Sequence, residues 1–278
     1  MNPMRSKRFN FLLEPIAILA CLLGVIPIVL MVLTSFKPDG EIVRFDSVLP
    51  QSPTLENYRQ IFGNSEEVPI LRWLRNSFFI STSITLLVLT VSSMAAYSLA
   101  RIRPPGSKWL FAIIVGTMMV PGQILLVPLY MLLNKLGWID TPLALIIPHG
   151  AGAFGVFMLY SFLKGIPREL EEAAAIDGCS LWGIYWHVVL PLAKPVLATL
   201  AIFVFLGSWN DFLGPLVFTD SSDMYTLPVG VAMFQSSYAN EYGLTFAACV
   251  ICTLPVLAVF IIFSRQIIAG MTAGALKE

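Results

Sequence analysis

Residues 167–195 read PRELEEAAAIDGCSLWGIYWHVVLPLAKP, a charged amphipathic segment between two strongly apolar runs. Pro167 favours the first turn of a helix, because its missing N–H has no intrahelical partner there. The glutamates that follow fall in that first turn, where the helix dipole stabilises negative charge; they are Glu169, Glu171 and Glu172. The segment therefore predicts a helix that starts at its proline.

A break and a second helix are expected further along this segment. Asp177-Gly178 is typical of a turn or helix end, and Gly178 is expected to take a backbone conformation that is costly for residues with a Cβ. We predict a second short helix from Cys179 to about Val189, ended by Pro191. Together these features predict a compact cytosolic knob. An ordinary solvated loop is the alternative, and it is disfavoured by the aromatic residues Trp182, Tyr185 and Trp186.

The composition is that of a membrane protein. The chain is 57% hydrophobic and 12% charged, whereas soluble domains are about a quarter charged. Its cysteines are scattered and predict no disulfide framework; we interpret them as small apolar side chains that fill packing gaps. Water solubility is therefore excluded, and a membrane-embedded chain is expected.

Six apolar runs are long enough to cross a hydrocarbon core, which takes roughly 20 residues. Each is expected to be helical, because lipid offers no partner for open backbone groups. The predicted fold is thus all-α and polytopic, a single transmembrane domain over residues 1–278. The predicted spans are about 12–34, 76–100, 109–133, 142–163, 195–218 and 244–264.

Lys and Arg predict the orientation of the spans, since these residues favour the cytoplasmic side. The short turn at 101–108 is basic without an acid, and the segment at 219–243 has no Lys or Arg. Both termini and the segment at 164–194 are therefore predicted to be cytoplasmic, although Arg72 and Arg75 run against this bias. The first apolar run is too long for the core of a signal peptide, so a retained helix is expected.

Polar groups inside the spans are candidates for function. The hydroxyl-rich second span either lines a polar path or bonds to neighbouring helices. In the fifth span, Trp209-Asn210-Asp211 is predicted to border the translocation path or its outer gate, with a purely structural role for Asp211 as the alternative. His149 is interpreted as a packed or hydrogen-bonded group. Pro and Gly residues within the third and fourth spans predict kinks.

Catalytic motifs are missing from the sequence. It has no phosphate-binding loop of the pattern G-x-x-x-x-G-K-[S/T] and no H-E-x-x-H zinc motif. It has no G-x-S-x-G nucleophile elbow either. His149 and His187 lie in different regions. We therefore expect no catalytic residue, no metal site and no ATP hydrolysis by this chain.

The spacing in residues 172–191 carries a family resemblance. Glu172-Ala173-Ala174 is followed after three residues by Gly178, after nine more by Val188, and then by Leu190-Pro191. This resembles the EAA loop of ABC importer permeases, with Val188 in place of the usual isoleucine. The resemblance implies that this loop couples to an ATPase subunit through Glu172, Ala173, Ala174, Asp177, Gly178, Leu190 and Pro191.

The resemblance extends along nearly the whole chain, to the carbohydrate-uptake branch that includes the second membrane subunit of maltose-type systems. It implies a second related permease, two ATP-binding subunits that hold ATP and Mg²⁺, and an external solute-binding protein, with no cofactor in this chain. The implied location is the bacterial or archaeal cell membrane. The similar segments are 34–37, 55–58, 76–77, 95–101, 119–121, 128–130, 207–212 and 270–275.

The segment from 219 to 243 is predicted to be an outer loop that touches the solute-binding protein. It carries acids without bases, and its aromatic residues suit a docking surface; the alternative is that they pack on the bundle's own rim. They are Tyr225, Phe234, Tyr238 and Tyr242.

Two other function classes compete with an ATP-driven sugar importer. A secondary transporter or channel would need buried ion or proton ligands, for which Asp211 and His149 are the candidates. A membrane-embedded enzyme would need a catalytic motif. Co-purification with an ATPase subunit separates the three. The sequence does not name the solute, which could be an oligosaccharide, another glycoside, a polyol or a glycerol phosphate.

Overall fold

The structure is a computed structural model that describes residues 3–44, 47–63, 68–237 and 241–275. Side chains at 3–14, 151, 236–237 and 265–275 are not described. Within the described residues the regular secondary structure is helical, in agreement with the predicted class. The helices are α1 Pro3–Ser35, α2 Asp39–Arg44, α3 Glu56–Gly63, α4 Ile70–Tyr97, α5 Ser107–Thr117, α6 Leu126–Lys135, α7 Pro142–Ile146, α8 Ala153–Lys164, α9 Glu169–Ile176, α10 Leu181–Ile184, α11 Leu190–Leu192, α12 Lys194–Trp209, α13 Leu213–Phe218, α14 Leu227–Ser237 and α15 Tyr242–Ala275.

Four of the expected spans correspond to helices that are long and apolar enough to cross a membrane. These are Pro15–Ser35, Ile70–Ile102, Pro142–Lys164 and Tyr242–Ser264. Two bent helix pairs raise the number to six if each pair is one span. The protein is therefore a multi-pass membrane protein with four to six candidate spans among its described residues.

The third expected span, 109–133, is broken rather than continuous. Ser107–Thr117 and Gly122–Lys135 meet at an angle of 90°. Pro121 sits in the break with an extended backbone, φ −61° and ψ 125°. A proline has no N–H for the helix ladder and disfavours helical geometry in the residue before it, so the sharp bend falls where the sequence predicted a kink.

The fifth expected span, 195–218, is also interrupted. Helix α12 ends at Trp209, and the chain becomes helical again at Leu213 as α13. In the second bent pair, α12 makes an angle of 75° with the preceding helical run Leu181–Leu192. Asp211 lies in the gap, where its Oδ1 accepts a hydrogen bond from the Gly214 N–H at 3.3 Å. A short polar side chain that bonds nearby backbone competes with helix continuation, which explains the break.

The described residues form two compact units. One is drawn from Met1–Ile70 and Val231–Leu254, the other from Leu71–Gly230 and Pro255–Glu278. The prediction of a single transmembrane domain over 1–278 stays a prediction.

In the first unit, two of the segments that carried the resemblance contact each other. The Asn57 amide donates to the carbonyl oxygens of Ser35 at 2.8 Å and Lys37 at 2.9 Å. The hydroxyls of Ser35 and Tyr58 are hydrogen-bonded at 2.7 Å. These bonds hold α3 against the C-terminal end of α1, where unpaired carbonyls would otherwise remain.

In the second unit, the hydroxyls of α4 bond mainly within the protein. Thr85 donates to the Ser81 carbonyl at 2.7 Å, and Thr90 donates to Leu86 at 2.8 Å. The buried Ser92 packs against Gly155 of α8, where an added Cβ would come within 2.5 Å of its Oγ. Small residues thus allow these two helices to approach closely. The bonds of Thr85 and Thr90 stay within α4, so they do not decide between a polar path and bonding to neighbouring helices.

The segment from 219 to 243 is not one loop, because α14 occupies Leu227–Ser237. Phe234 is buried, so its expected place on a docking surface was wrong. Tyr225 is half-buried and Tyr242 is exposed. Tyr238 lies outside the described residues. Phe234 is buried because it lies on an apolar face of α14. A short apolar stretch of sequence does not show whether its aromatic residues lie in a packed helix or in an exposed loop.

Candidate functional site

The turn in the predicted coupling loop is a helix C-terminal cap built on Gly178. The Gly178 N–H donates to the Ala175 carbonyl at 3.1 Å, and the Cys179 N–H donates to the Ala174 carbonyl at 3.0 Å. This pair of bonds is a Schellman motif, which requires a left-handed residue just past the helix. Gly178 has φ +87°, the conformation expected from the sequence. The spacing between the alanines and the glycine therefore encodes the end of α9.

The loop differs from expectation in both of its halves. In the second half, the helix begins at Leu181, because the Ser180 hydroxyl accepts the Gly183 N–H at 3.2 Å and caps the helix. It continues through a π-helical turn at Tyr185–Val189 into α11. Pro191 therefore lies inside the helical run instead of ending it. In the first half of the loop, α9 begins at Glu169 with Arg168 at the N-cap position, so the prediction that the helix starts at Pro167 was wrong.

The inner face of the loop is anchored in a buried cluster. Ile184, Tyr185 and Val189 pack with residues of α4, α8 and α12. The hydroxyls of Tyr185 and Ser93 are hydrogen-bonded at 2.8 Å, and the Tyr97 hydroxyl donates to the Leu181 carbonyl at 3.1 Å. The loop is therefore fixed to the helical bundle by both apolar packing and polar bonds.

Arg101 adds a charged contact to this anchor. Its side chain is 4% exposed, and its Nε lies 2.9 Å from Oε1 of Glu171, which is 16% exposed. The Nε–H does not point at that oxygen, so the contact is an ion pair rather than a hydrogen bond. The Nη2 group donates to the carbonyl oxygens of Leu163 and Ile166, the latter at 2.9 Å. One guanidinium thus joins the end of α4, the end of α8 and the acidic helix α9.

The outer face of the loop is exposed and apolar. Ile176 is 87% exposed, and Trp182 and Trp186 are each 60% exposed. Among the predicted coupling residues, Ala174 and Leu190 are half-buried, and the exposed ones are Glu172, Ala173, Asp177, Gly178 and Pro191. Large exposed apolar side chains that lie close together are typical of a surface that contacts another protein or a membrane.

The other predicted site, at 209–211, is only partly assembled. Trp209 is 1% exposed and stacks on Phe205, with ring centroids 5.8 Å apart. Asn210 is exposed, and its amide donates to the Leu206 carbonyl at 2.8 Å. Asp211 lines a cavity of about 380 Å³ in the second unit. Of the three residues, Asp211 is the one in contact with this cavity.

His149 faces Asp211 across the same cavity. Its Nδ1 lies 2.7 Å from the Leu145 carbonyl oxygen, and its Nε2 lies 4.0 Å from Oδ2 of Asp211. Phe154, Ser208 and Gly207 contribute to the wall. The tertiary structure therefore brings together two groups from the break between α7 and α8 and the break between α12 and α13, which the sequence treated as separate candidates.

Comparison with known families decides what kind of protein this is. Residues 88–272 match the family described as binding-protein-dependent transport system inner membrane component. The chain belongs to this family. The matched residues include α9–α12 and the Gly178 turn, so the predicted coupling loop of this importer permease lies within the matched region.

Relatives of this permease share most of its length. It is 39% identical to the arabinooligosaccharides transport system permease AraQ of Halalkalibacterium halodurans over 92% of each chain. It is 34% identical to the trehalose/maltose transport system permease MalG of Thermococcus litoralis over 94% of each chain. A diacetylchitobiose uptake permease, NgcG of Streptomyces coelicolor, is 34% identical over 98% of this chain and 90% of its own.

A solved structure shares the fold of this permease. A bacterial ABC transporter that imports the acidic polysaccharide alginate superposes with a TM-score of 0.83 at 20% identity, over 95% of this chain and 98% of the matched one. At this identity the likeness concerns the fold.

Sequence reasoning missed some residues of, and in contact with, the predicted coupling loop. Arg101 was recognised only as the end of a family-like segment, and Glu171 only as a first-turn acid. The ion pair joins two residues that are far apart in the sequence, at positions 101 and 171. A local sequence pattern cannot predict a contact between residues so distant in the chain. Ile176 could have been found, because it is a large apolar residue next to a predicted helix end.

Proposed function

We propose that this permease subunit moves a neutral sugar or oligosaccharide into the cell as part of an importer driven by separate ATPase subunits. The single observation that carries the proposal is the coupling loop, a capped helix–turn–helix with an exposed apolar outer face and a buried inner face. The ATPase subunits bind ATP and Mg²⁺, and this chain performs no catalysis. The names of the relatives support a sugar as the solute, since they concern arabinooligosaccharides, trehalose and maltose, and diacetylchitobiose.

In this proposal the chain crosses the membrane six times: through the four continuous candidate spans, through the bent pair Ser107–Thr117 and Gly122–Lys135 as one span, and through residues 195–218 as another. Both termini and the coupling loop lie in the cytoplasm. The outer face of the loop docks an ATPase subunit through Glu172, Ile176 and the two exposed tryptophans. A second, related permease carries the other ATPase subunit. Closure of the ATPase dimer moves the two loops together, and the anchored inner faces transmit this movement to the spans.

The function is tested by uptake into membrane vesicles that contain this permease with its partner permease, ATPase subunits and binding protein. The panel consists of radiolabelled arabinotriose, maltotriose, diacetylchitobiose and lactose. ATP-dependent uptake of at least one sugar is expected, with no uptake when a non-hydrolysable ATP analogue replaces ATP. Uptake that persists without the ATPase subunits would instead identify a secondary transporter or channel. Absence of uptake for the whole panel would contradict the sugar assignment.

The segment at 219–226 is the part of the outer region that we propose to contact the binding protein. It is held to α4, because the Asn76 amide donates to the carbonyls of Asp223 and Tyr225 at 2.7 and 3.0 Å. Arg72 pairs with Asp223. Ser222 is exposed. A rigidly held, exposed segment suits the docking of a second protein at low entropic cost.

Asp140 fixes the start of this segment. Its carboxylate accepts the N–H groups of Asp220 and Ser221, each at 3.0 Å. Burial alone raises the pKa of Asp140, but hydrogen bonds from Ser221 and Asp220 outweigh it and leave this pKa lowered. The stabilisation is therefore present above the ordinary Asp pKa and is lost as the pH falls through the lowered value.

Cysteine crosslinking is expected to detect the docking contact. In a permease whose native cysteines are replaced, Ser222→Cys should crosslink to the binding protein when sugar and ATP are present. Lys108→Cys, on the predicted cytoplasmic side, is the matched control and should give no such product. Crosslinks of Ser222→Cys found only within the permease would count against docking at this segment.

A further inference from the structure

The cavity beside Asp211 has the size and lining of a ligand site. Its volume of about 380 Å³ lies within the roughly 300–1,000 Å³ typical of small-molecule sites. Ile84, Val88 and Val204 supply apolar walls, and Phe154 adds an aromatic ring. The polar side chains in the wall are His149, Ser208 and Asp211. A mostly apolar cavity with a few convergent polar groups is the usual form of a site that orients a ligand.

The hydrogen bond of His149 determines which of its ring nitrogens carries the proton. A main-chain carbonyl can only accept, so Nδ1, 2.7 Å from the Leu145 oxygen, carries the proton. In the neutral ring, Nε2 then has the lone pair and accepts. Oδ2 of Asp211 faces it from 4.0 Å, and an ionised carboxylate also only accepts. With the ring neutral and the carboxylate ionised, two acceptors face each other across a gap too wide for a direct hydrogen bond.

Such a pair of acceptors calls for a ligand that donates twice. Two neighbouring hydroxyls on one sugar ring present two O–H donors side by side, and the apolar wall suits the C–H face of the ring. An anionic solute is disfavoured, since the carboxylate would repel it.

Glycines keep this arrangement open. A Cβ on Gly214 would come within 2.6 Å of Oδ2 of Asp211, so Gly214 lets the carboxylate lie close over α13. Gly207 lines the cavity, and a Cβ there would meet nothing within 4 Å. The space directly next to Gly207 is therefore open, and a Cβ at this position meets no neighbouring atom.

We propose that this cavity is a subsite on the solute path that recognises sugar hydroxyls. In it, His149 and Asp211 accept hydrogen bonds from two neighbouring hydroxyls of one sugar ring. The proposal rests on the sugar-import function proposed above and assigns its polar contacts to specific atoms. Asp211 thus acts through Oδ2 toward the solute and through Oδ1 toward the Gly214 N–H.

Two variants test the subsite in the vesicle system. Asp211→Asn retains an oxygen for the Gly214 N–H but places an amide donor where Oδ2 accepts. Gly207→Leu adds a bulky apolar side chain at a wall position of the cavity, and its matched control is Gly116→Leu on α5, where a Cβ also meets nothing within 4 Å. The probes are the panel sugar that the wild type transports best and its analogues that each lack one hydroxyl.

Wild-type uptake should fall about tenfold for an analogue that lacks the hydroxyl bound to the charged Asp211 carboxylate, and by less for one that lacks the hydroxyl bound to His149, since hydrogen bonds to charged groups are stronger. In Asp211→Asn and Gly207→Leu, uptake of the parent sugar should fall about tenfold and the preference over the analogue should largely disappear. Gly116→Leu should behave as the wild type. The binding protein is the same throughout, so a change in preference reports on the permease.

An unchanged preference in both variants would overturn the subsite, even if uptake falls. If one variant fails to co-purify with the ATPase subunits, the other decides; failure of both, with Gly116→Leu intact, would identify the cavity as a packing element and also overturn the proposal. Failure of the sugar-import function is distinguishable, because the wild type would then transport no sugar of the panel.

Discussion

Replacing Arg101 with methionine is expected to destabilise the permease by about 3 kcal/mol, in the range for breaking a buried ion pair. The substitution leaves the Glu171 carboxylate, 16% exposed, without its partner. It also removes the donors to the carbonyls of Leu163 and Ile166. The thermal unfolding midpoint of the purified importer should fall, and less ATPase subunit should co-purify, because α9 loses its tie to α4 and α8.

A double-mutant cycle isolates the ion pair. Adding Glu171→Met to Arg101→Met should recover part of the loss, since replacing both charges by apolar groups is often close to neutral. The expected coupling energy is about 1–3 kcal/mol. Lys108→Met removes an exposed charge nearby in sequence and should change stability by at most about 0.5 kcal/mol. Equal midpoints for Arg101→Met and Lys108→Met would refute the role of Arg101 as an anchor.

Replacing Gly178 with leucine is expected to uncouple ATP hydrolysis from uptake. At φ +87° a residue with a Cβ costs about 1–2 kcal/mol more than glycine. A Cβ at this position would meet nothing within 4 Å, so the cost is one of backbone conformation rather than of collision. The turn should therefore adopt a different backbone conformation, which changes the orientation of α10 relative to α9. Uptake should fall about tenfold or more, while the permease remains in the membrane.

Gly178→Asn is the matched control, because asparagine tolerates the left-handed region better than other residues with a Cβ. It should retain more uptake than the leucine variant. Uptake, ATP hydrolysis and permease content of the membrane are measured together, so that loss of coupling is separated from loss of protein. Wild-type uptake by Gly178→Leu would remove the turn from the coupling mechanism.

Local patterns in the sequence predicted much of the fold and the outline of the coupling loop. Long apolar runs predicted the four continuous candidate spans, because a helix is the structure that satisfies backbone groups in lipid. The Asp177-Gly178 pair predicted the end of α9, since the cap depends on a residue that enters the left-handed region at low cost. The coupling roles assigned from the resemblance stay predictions that the experiments above address.

Other features depended on contacts between segments far apart in the chain. Three features depend on how distant segments pack against each other. They are the burial of Trp209 and Phe234, the ion pair between Arg101 and Glu171, and the proximity of His149 to Asp211.

Backbone and side-chain chemistry within a few residues thus determined on its own the helical class, the candidate spans and the glycine turn. The tertiary structure alone decided which aromatic residues are covered, where the carboxylates lie and how sharply the broken helices bend. The physical reason is that burial and ion pairing depend on neighbours brought together by packing, whereas capping and propensity act within about one helical turn.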